Sequence, residues 1–275
     1  MINMTLNSDE ITALRYYIGD VGEHLYKSPA KLIGDTEIYM RKFFSEPKAY
    51  LIINSMFFPD TETEKARAKE NKFLNPEIVR YPVLMRYIYK NLFSAFRKCT
   101  AKKDMKTFRI ERFSDYLYIK KTGGTVSFTS TSKNGFLHNY RDRSGIALME
   151  FELKADTPCI DIQEILRSYR SPLQPYEPEV ILPPFMELQI TEIPLTQEML
   201  EITDSENNPP LVCCKAIPKG RIYLNSESND SPEKYIDSAV RFLECLNNKK
   251  PPSSEDEINY IRFKKAFLAE IKNIF

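Results

Sequence analysis

The sequence predicts an α+β fold, with helices over roughly the first hundred residues, strands through the middle and two helices at the end. Three observations carry this. Apolar residues recur at helical spacing up to Phe96, β-branched and aromatic runs replace them from about residue 107, and Asn-, Ser- and Pro-rich linkers set off two apolar stripes after residue 225.

The helical part opens at Ser8, a candidate cap followed by Asp9 and Glu10, with Ile11, Leu14 and Ile18 at helical spacing and Gly19 as the stop. Helices are also expected at Thr36–Phe44 and Thr61–Phe73. Past Asn75-Pro76 and Pro82 another carries Leu84, Ile88, Leu92 and Phe96. Strands are expected at Thr107–Arg112, Tyr116–Ile119, Thr125–Thr131 and Ile146–Leu153. In the last of these Ala147, Met149, Phe151 and Leu153 alternate with Glu150 and Glu152, which predicts one buried face. A short helix around Gln163–Tyr169 and a loop over Arg170–Tyr176 precede strands at Glu179–Leu182, Met186–Ile193 and Leu211–Ile217, giving a sheet of six or more strands. Ser231-Pro232 opens a helix bearing Ile236, Ala239, Leu243 and Leu246. Ser254-x-x-Glu257 reads as a capping box for a last helix, whose stripe of Tyr260, Phe263, Phe267, Ile271 and Ile274 is expected to pack on its own domain, with docking onto a separate partner as the alternative.

Bulk properties narrow the function. A chain of 275 residues with 42% apolar content can bury a sizeable core, and no apolar run reaches the ~20 residues of a membrane span. The polar, acidic start shows no secretory signal. Five cysteines without a C-x-x-C pair argue against a disulfide framework or structural zinc, and a reducing cytoplasm is the expected location. A net charge of +1 excludes a strongly basic nucleic-acid binder. His24 and His138 form no helical metal-binding pair, and no Gly-x-Ser-x-Gly or phosphate-binding glycine loop occurs, so no metal is expected.

One stretch carries candidate chemistry: Tyr176-Glu177-Pro178-Glu179-Val180-Ile181-Leu182-Pro183. Pro178 biases Glu177 toward extended backbone, where residues two apart point the same way, so both carboxylates are expected to face one cleft. Such a pair can stabilise a cationic transition state with one acid and activate a nucleophile with the other. The alternative is a solvated loop with two ordinary acids. Two further elements precede it in order: Phe108-Arg109 on the first strand, and Phe128-Thr129-Ser130-Thr131-Ser132 on a later one.

This ordered set resembles the arginine, serine-threonine-serine, glutamate-x-glutamate signature of the mono-ADP-ribosyltransferases of the clostridial binary toxin and vertebrate ecto-enzyme type. Glu179-Val180-Ile181-Leu182-Pro183-Pro184 is similar to the strand carrying their catalytic glutamate, and Tyr17-Ile18-Gly19-Asp20 to the opening helix of bacterial members. The resemblance covers roughly residues 8–224. It implies a split β-sandwich core within residues 1–224, with a helical lobe at 1–106, a β core at 107–224 and a helical extension at 225–275. It also implies NAD as co-substrate, without metal.

On that resemblance Arg109 would clamp the NAD phosphates through its forked donors, with Arg112 in reserve; the alternative for Arg109 is an ion pair with Glu111 or Asp115. Ser130 would bond near the catalytic glutamate and the nicotinamide, with Thr131 and Ser132 supporting the strand. Glu179 would stabilise the ribosyl cation, and Glu177 would orient or deprotonate the acceptor. Phe136 and Tyr140 could pack on nicotinamide, and Tyr169 and Tyr176 flank the loop that the family uses for target recognition; for all four, loop or core packing is the alternative. Glu at 177 favours protein arginine as the acceptor. A toxin or effector acting in the cytoplasm of its producer or of a target cell is the implied setting, with an antitoxin or immunity protein as a further partner and no membrane. Modification of RNA or DNA is the second expectation. It draws on the run Arg97–Lys121, where Lys102, Lys103, Lys106, Lys120 and Lys121 either form a solvated face or attract a polyanion. A catalytically inactive module that binds NAD or a partner is the third.

Overall fold

The computed structural model describes residues 6–18, 49–135, 145–167, 178–195, 210–221 and 228–272, apart from the side chains of Ala49, Tyr50, Glu77 and Arg221. The helix expected at 36–44, the loop at 170–176 and Ile274 lie outside these residues. The described chain divides into two compact units, one drawn from Asn3–Ala95 with Leu224–Phe275, the other from Phe96–Tyr223. The grouping differs from the expected one, since the last two helices share a unit with the N-terminal helices. Packing between segments so distant in sequence leaves no local mark that could have announced it.

The helical unit contains α1 (Ser8–Ile18), α2 (Ala49–Ser55), α3 (Glu62–Lys69), α4 (Glu77–Arg80), most of α5 (Pro82–Lys98), a 3-10 turn at Pro232–Tyr235, α8 (Ile236–Asn247) and α9 (Ser254–Lys272). α1 is capped by Asn7 and not by Ser8: the Asn7 side-chain oxygen accepts from the Glu10 N–H at 2.9 Å, while Glu10 accepts from the Asn7 N–H at 2.8 Å. The box at α9 likewise sits one residue earlier than expected. Ser253 accepts from the Asp256 N–H at 3.0 Å and donates to its carboxylate at 2.8 Å. Glu257 is thereby left to accept from Lys65 on α3 at 2.7 Å. The stripe on α9 packs as expected: Tyr260, Phe263, Phe267 and Ile271 are fully buried. Tyr260 stacks on Phe242 of α8 at 4.7 Å, and Phe267 meets Tyr89 of α5 edge-on at 5.3 Å. Such aromatic pairs contribute about 0.5–1.5 kcal/mol each beyond their burial.

The second unit is built on a seven-stranded sheet. Its strands are β1 (Met105–Arg112), β2 (Thr129–Ser132), β3 (Ile146–Leu153), β4 (Ile160–Asp161), β5 (Glu179–Leu182), β6 (Met186–Ile193) and β7 (Val212–Arg221), in the order β4-β5-β2-β1-β3-β7-β6. Only the β3–β7 pair is parallel. The α+β class is therefore as expected, with the strands hydrogen-bonded in one continuous order. β3 is buried on both faces and not on one, and even Glu150 is only 7% exposed.

The segment expected as a strand at Tyr116–Ile119 is instead the middle of helix α6 (Phe113–Thr122). Tyr116 and Ile119, three apart, are its buried residues, and the Tyr116 hydroxyl donates to Glu192 of β6 at 2.9 Å. The helix ends where Gly123 adopts φ 70°, a left-handed conformation open to glycine, and its N–H returns to the Ile119 carbonyl at 2.9 Å. Tertiary burial of the three-residue spacing overrides the β propensity of the aromatic residues. A further short helix, α7 (Ile162–Ile165), follows β4 and is capped by Asp161.

Candidate active site

The site is assembled by the register of three neighbouring strands. β2 pairs antiparallel with β5, placing Ser132 opposite Glu179, Thr131 opposite Val180 and Ser130 opposite Ile181. On its other side β2 meets β1, with Phe108 opposite Ser132. Directly opposed residues of an antiparallel pair share a face, and alternate residues along a strand share it too. Phe108, Ser130, Ser132 and Glu179 therefore lie on one face of the sheet. Cross-strand neighbours of this kind have Cβ atoms about 4.5–5.5 Å apart, so the Ser132 and Glu179 side chains stand side by side.

The three residues of Ser130-Thr131-Ser132 have separate fates. Thr131 faces the other way, is 3% exposed, and donates its hydroxyl to the Val180 carbonyl at 2.8 Å, which ties β2 to β5. Ser132 is buried and accepts from the Asn134 N–H at 3.1 Å, shaping the turn that follows. Ser130 is half-buried, and its hydroxyl makes no hydrogen bond among the described residues.

Glu179 is half-buried as the first residue of β5, while Val180, Ile181 and Leu182 behind it are buried. The ladder continues one step beyond the strand, where the Lys133 N–H donates to the Pro178 carbonyl at 2.8 Å. The Lys133 ammonium is held by Asp161 of β4 at 2.8 Å, which ties the turn after β2 to the sheet edge. Glu177 and Phe136, with Tyr140, Tyr169 and Tyr176, lie outside the described residues.

Arg109 stands apart from the rest of the set. Alternation along β1 puts Arg109 on the face opposite to Phe108, and so opposite to Ser132 and Glu179. There its Nε donates to Glu111, a carboxylate only 9% exposed, and its guanidinium donates to the Ser130 carbonyl at 2.7 Å. Arg109 is thus a strut between β1 and β2, and the ion-pair alternative for it is the one observed. Arg112, the reserve residue, shares parity with Phe108 and sits half-buried at the end of β1 on the face of Ser130 and Glu179. The period-two spacing of Phe108 and Arg112 could have signalled this, but only with the β1–β2 register in hand.

Three of the five lysines singled out in the basic run have carboxylate partners. Lys106 pairs with Glu150 at 2.8 Å, Lys120 with Glu192 at 2.5 Å, and Lys102 with Glu164. Glu192 is consequently held below the usual carboxylate range, first by the Lys120 hydrogen bond and then by that of Tyr116. Among the described residues no group of three or more His, Cys, Asp or Glu could hold a metal ion, and no described helix is long and apolar enough to cross a membrane.

No protein-family model matches the chain, and none of the curated proteins does. Among solved structures it is similar to an ADP-ribosyltransferase from Clostridium botulinum, at 15% identity and a TM-score of 0.41, over 78% of this chain and 87% of that one. The Clostridium limosum C3 exoenzyme gives 15% identity and a TM-score of 0.41, over 79% of this chain and 88% of that one. An ADP-ribosyltransferase toxin from Paenibacillus larvae gives 16% and 0.34, over 80% of this chain and 100% of that one.

Proposed function

We propose that the chain is an NAD-dependent mono-ADP-ribosyltransferase whose acceptor is a macromolecule, with protein arginine first. The observation that carries this reading is the pairing of Ser132 with Glu179 on adjoining strands, with Ser130 and Arg112 on the same face. The sequence signature calls for a serine, a carboxylate and an arginine at one surface; strand register gives Ser130, Glu179 and the reserve Arg112 a common face, while Arg109 lies on the other.

In the proposed reaction the bond between nicotinamide and the ribose anomeric carbon breaks, and its electron pair leaves with neutral nicotinamide. Positive charge builds on the ribose. Glu179, half-buried and anchored by the β2–β5 ladder, would bond a ribose hydroxyl and stabilise that charge. Arg112, in place of Arg109, is assigned to the phosphates, for which a guanidinium offers paired donors and a permanent charge. The Ser130 hydroxyl would bond the nicotinamide side of the substrate. Thr131 and Ser132, taken up by Val180 and Asn134, set the strand and leave little capacity for direct contact. Phe136 remains the proposed stacking partner of nicotinamide. Glu177 would take the proton from the acceptor nitrogen as its lone pair closes on the anomeric carbon. An intracellular toxin or effector role, with a neutralising partner, accompanies this reading. The carboxylate partners of Lys102, Lys106 and Lys120 favour protein over nucleic acid as the acceptor.

The test is incubation with NAD labelled in its adenylate half and a cell lysate, followed by protease or nuclease digestion. Label on protein, released by agents that cleave arginine adducts, is expected. Absence of both label and nicotinamide release from a folded preparation would refute the enzyme reading; label that survives protease and is lost to nuclease would move the acceptor to nucleic acid.

A further inference from the structure

Five cysteines are present as thiols, and two of them face each other. Thr100 and Pro158 form an antiparallel bridge, flanked by hydrogen bonds from the Ala101 N–H to the Thr157 carbonyl at 2.8 Å and from the Cys159 N–H to the Cys99 carbonyl at 3.2 Å. Pro158 occupies the position of this bridge that needs no N–H. One step outward from the bridge, Cys99 is the residue directly opposite Cys159. Hydrogen-bonded opposed pairs have Cα atoms about 5.5 Å apart and side chains on one face, inside the range of ~4.4–6.8 Å that a disulfide spans. No other cysteine pair is so placed: Cys213 and Cys214 are neighbours on β7 and point to opposite faces, and Cys245 lies on α8.

We infer that Cys99 and Cys159 form a reversible cross-strand disulfide, a redox staple that fastens the chain leaving α5 to the edge strand β4. β4 is hydrogen-bonded to β5, with Ile160 opposite Ile181 and Asp161 opposite Val180, so the staple lies beside the strand that carries Glu179. The two thiols differ in reactivity. Cys99 is half-exposed, whereas Cys159 is 2% exposed and its thiol is pushed up to about 12 by burial, then by Asp161 and by Cys99 itself. Cys99 is therefore the attacking group. Its thiolate displaces one thiol from a low-molecular-weight disulfide such as oxidised glutathione. Cys159 then gives up its proton and displaces the second thiol from the Cys99 sulfur. Two protein S–H bonds are exchanged for one S–S bond, and the small disulfide is reduced to two thiols.

The inference is independent of the transferase reading and is tested without activity. The full chain is equilibrated with oxidised glutathione, alkylated, and analysed by mass spectrometry with and without reduction, alongside Cys99→Ser, Cys159→Ser and Cys245→Ser. The expected result is a mass lower by two hydrogens, a reducible peptide linking positions 99 and 159, and its loss in the first two variants only. Closing so long a loop should raise Tm by about 5 °C or more in the oxidised wild type, reversed by dithiothreitol. Both cysteines alkylated after oxidation, a persistent mixed disulfide on Cys99, or a disulfide that leaves Tm unchanged would each overturn the staple.

Discussion

Glu64 of the helical unit and Glu179 of the sheet unit sit in contrasting settings. In the helical unit Glu64 is completely buried: it accepts from the Lys264 ammonium at 2.8 Å and from the Tyr260 hydroxyl at 2.9 Å, and Lys264, 1% exposed, also donates to the Asp60 carbonyl at 2.6 Å. The Lys264 ammonium lies 5.4 Å from the Tyr260 ring centre, and burial drives the tyrosine hydroxyl well above its usual range. In the sheet unit Glu179 stands half-buried at a strand end beside Ser130. A carboxylate locked by a cation and a phenol on the same oxygen is a structural device. Glu179 differs in burial and in position, as the half-buried first residue of β5 with its backbone neighbours held by the β2–β5 ladder.

The largest effect should come from breaking the first. Lys264→Ala strands Glu64 without its cation and should cost about 3–5 kcal/mol by denaturant unfolding, because an unpaired charge remains buried. Replacing both residues, with Lys264→Met and Glu64→Leu, should recover most of that loss; failure to recover it would mean the pair specifies packing beyond its own charges. Next, Glu179→Gln should leave the unfolding free energy within about 0.5 kcal/mol of wild type while lowering NAD turnover by a factor on the order of 10²–10³. A loss of stability in place of activity would assign Glu179 to the same class as Glu64.

The two arginines of β1 extend the contrast within one strand. Arg109→Ala removes the cation beside buried Glu111 and the donor to the Ser130 carbonyl, and should lower stability by about 1–3 kcal/mol. Arg112→Ala should instead raise KM for NAD with little change in Tm. Interchanged outcomes would return the phosphate clamp to Arg109.

The smallest effect is a titration. Glu257 is held below its ordinary value of 4.5 by the Lys65 hydrogen bond, then by that of Thr61. A carboxyl depressed in the folded state adds stability that is complete above its unfolded value and disappears as pH falls through the folded one. With a partly exposed partner this is worth about 0.2–1 kcal/mol. Glu257→Gln should therefore destabilise the protein at pH 7 and flatten the acid limb of its stability curve below about pH 4.5, measured by urea midpoints across pH.

Local pattern carried much of the fold. The stripes on α5, α8 and α9 and the strands at 146–153 and 179–182 all follow from apolar period and punctuation, which act within a few residues. Errors arose where a neighbour one residue away was an equal candidate, as with Ser253 against Ser254, or where burial rewarded another period, as at Tyr116 and Ile119. The site was legible in part for the same reason. Ser130 and Glu179 are conspicuous by composition and order, whereas the choice between Arg109 and Arg112 turns on parity across two strands.

The chain by itself determined which residue types and which periods were available: helical stripes at both ends, a β-rich middle, and the ordered serine and carboxylate motifs. Tertiary structure alone decided that Ser132 faces Glu179, that Arg109 turns away to Glu111, that Lys264 is sealed on Glu64, and that Cys99 meets Cys159. Periodicity is a property of neighbours along the chain, while register and pairing are set by contacts that close over tens to hundreds of residues. Only the packed structure fixes those contacts.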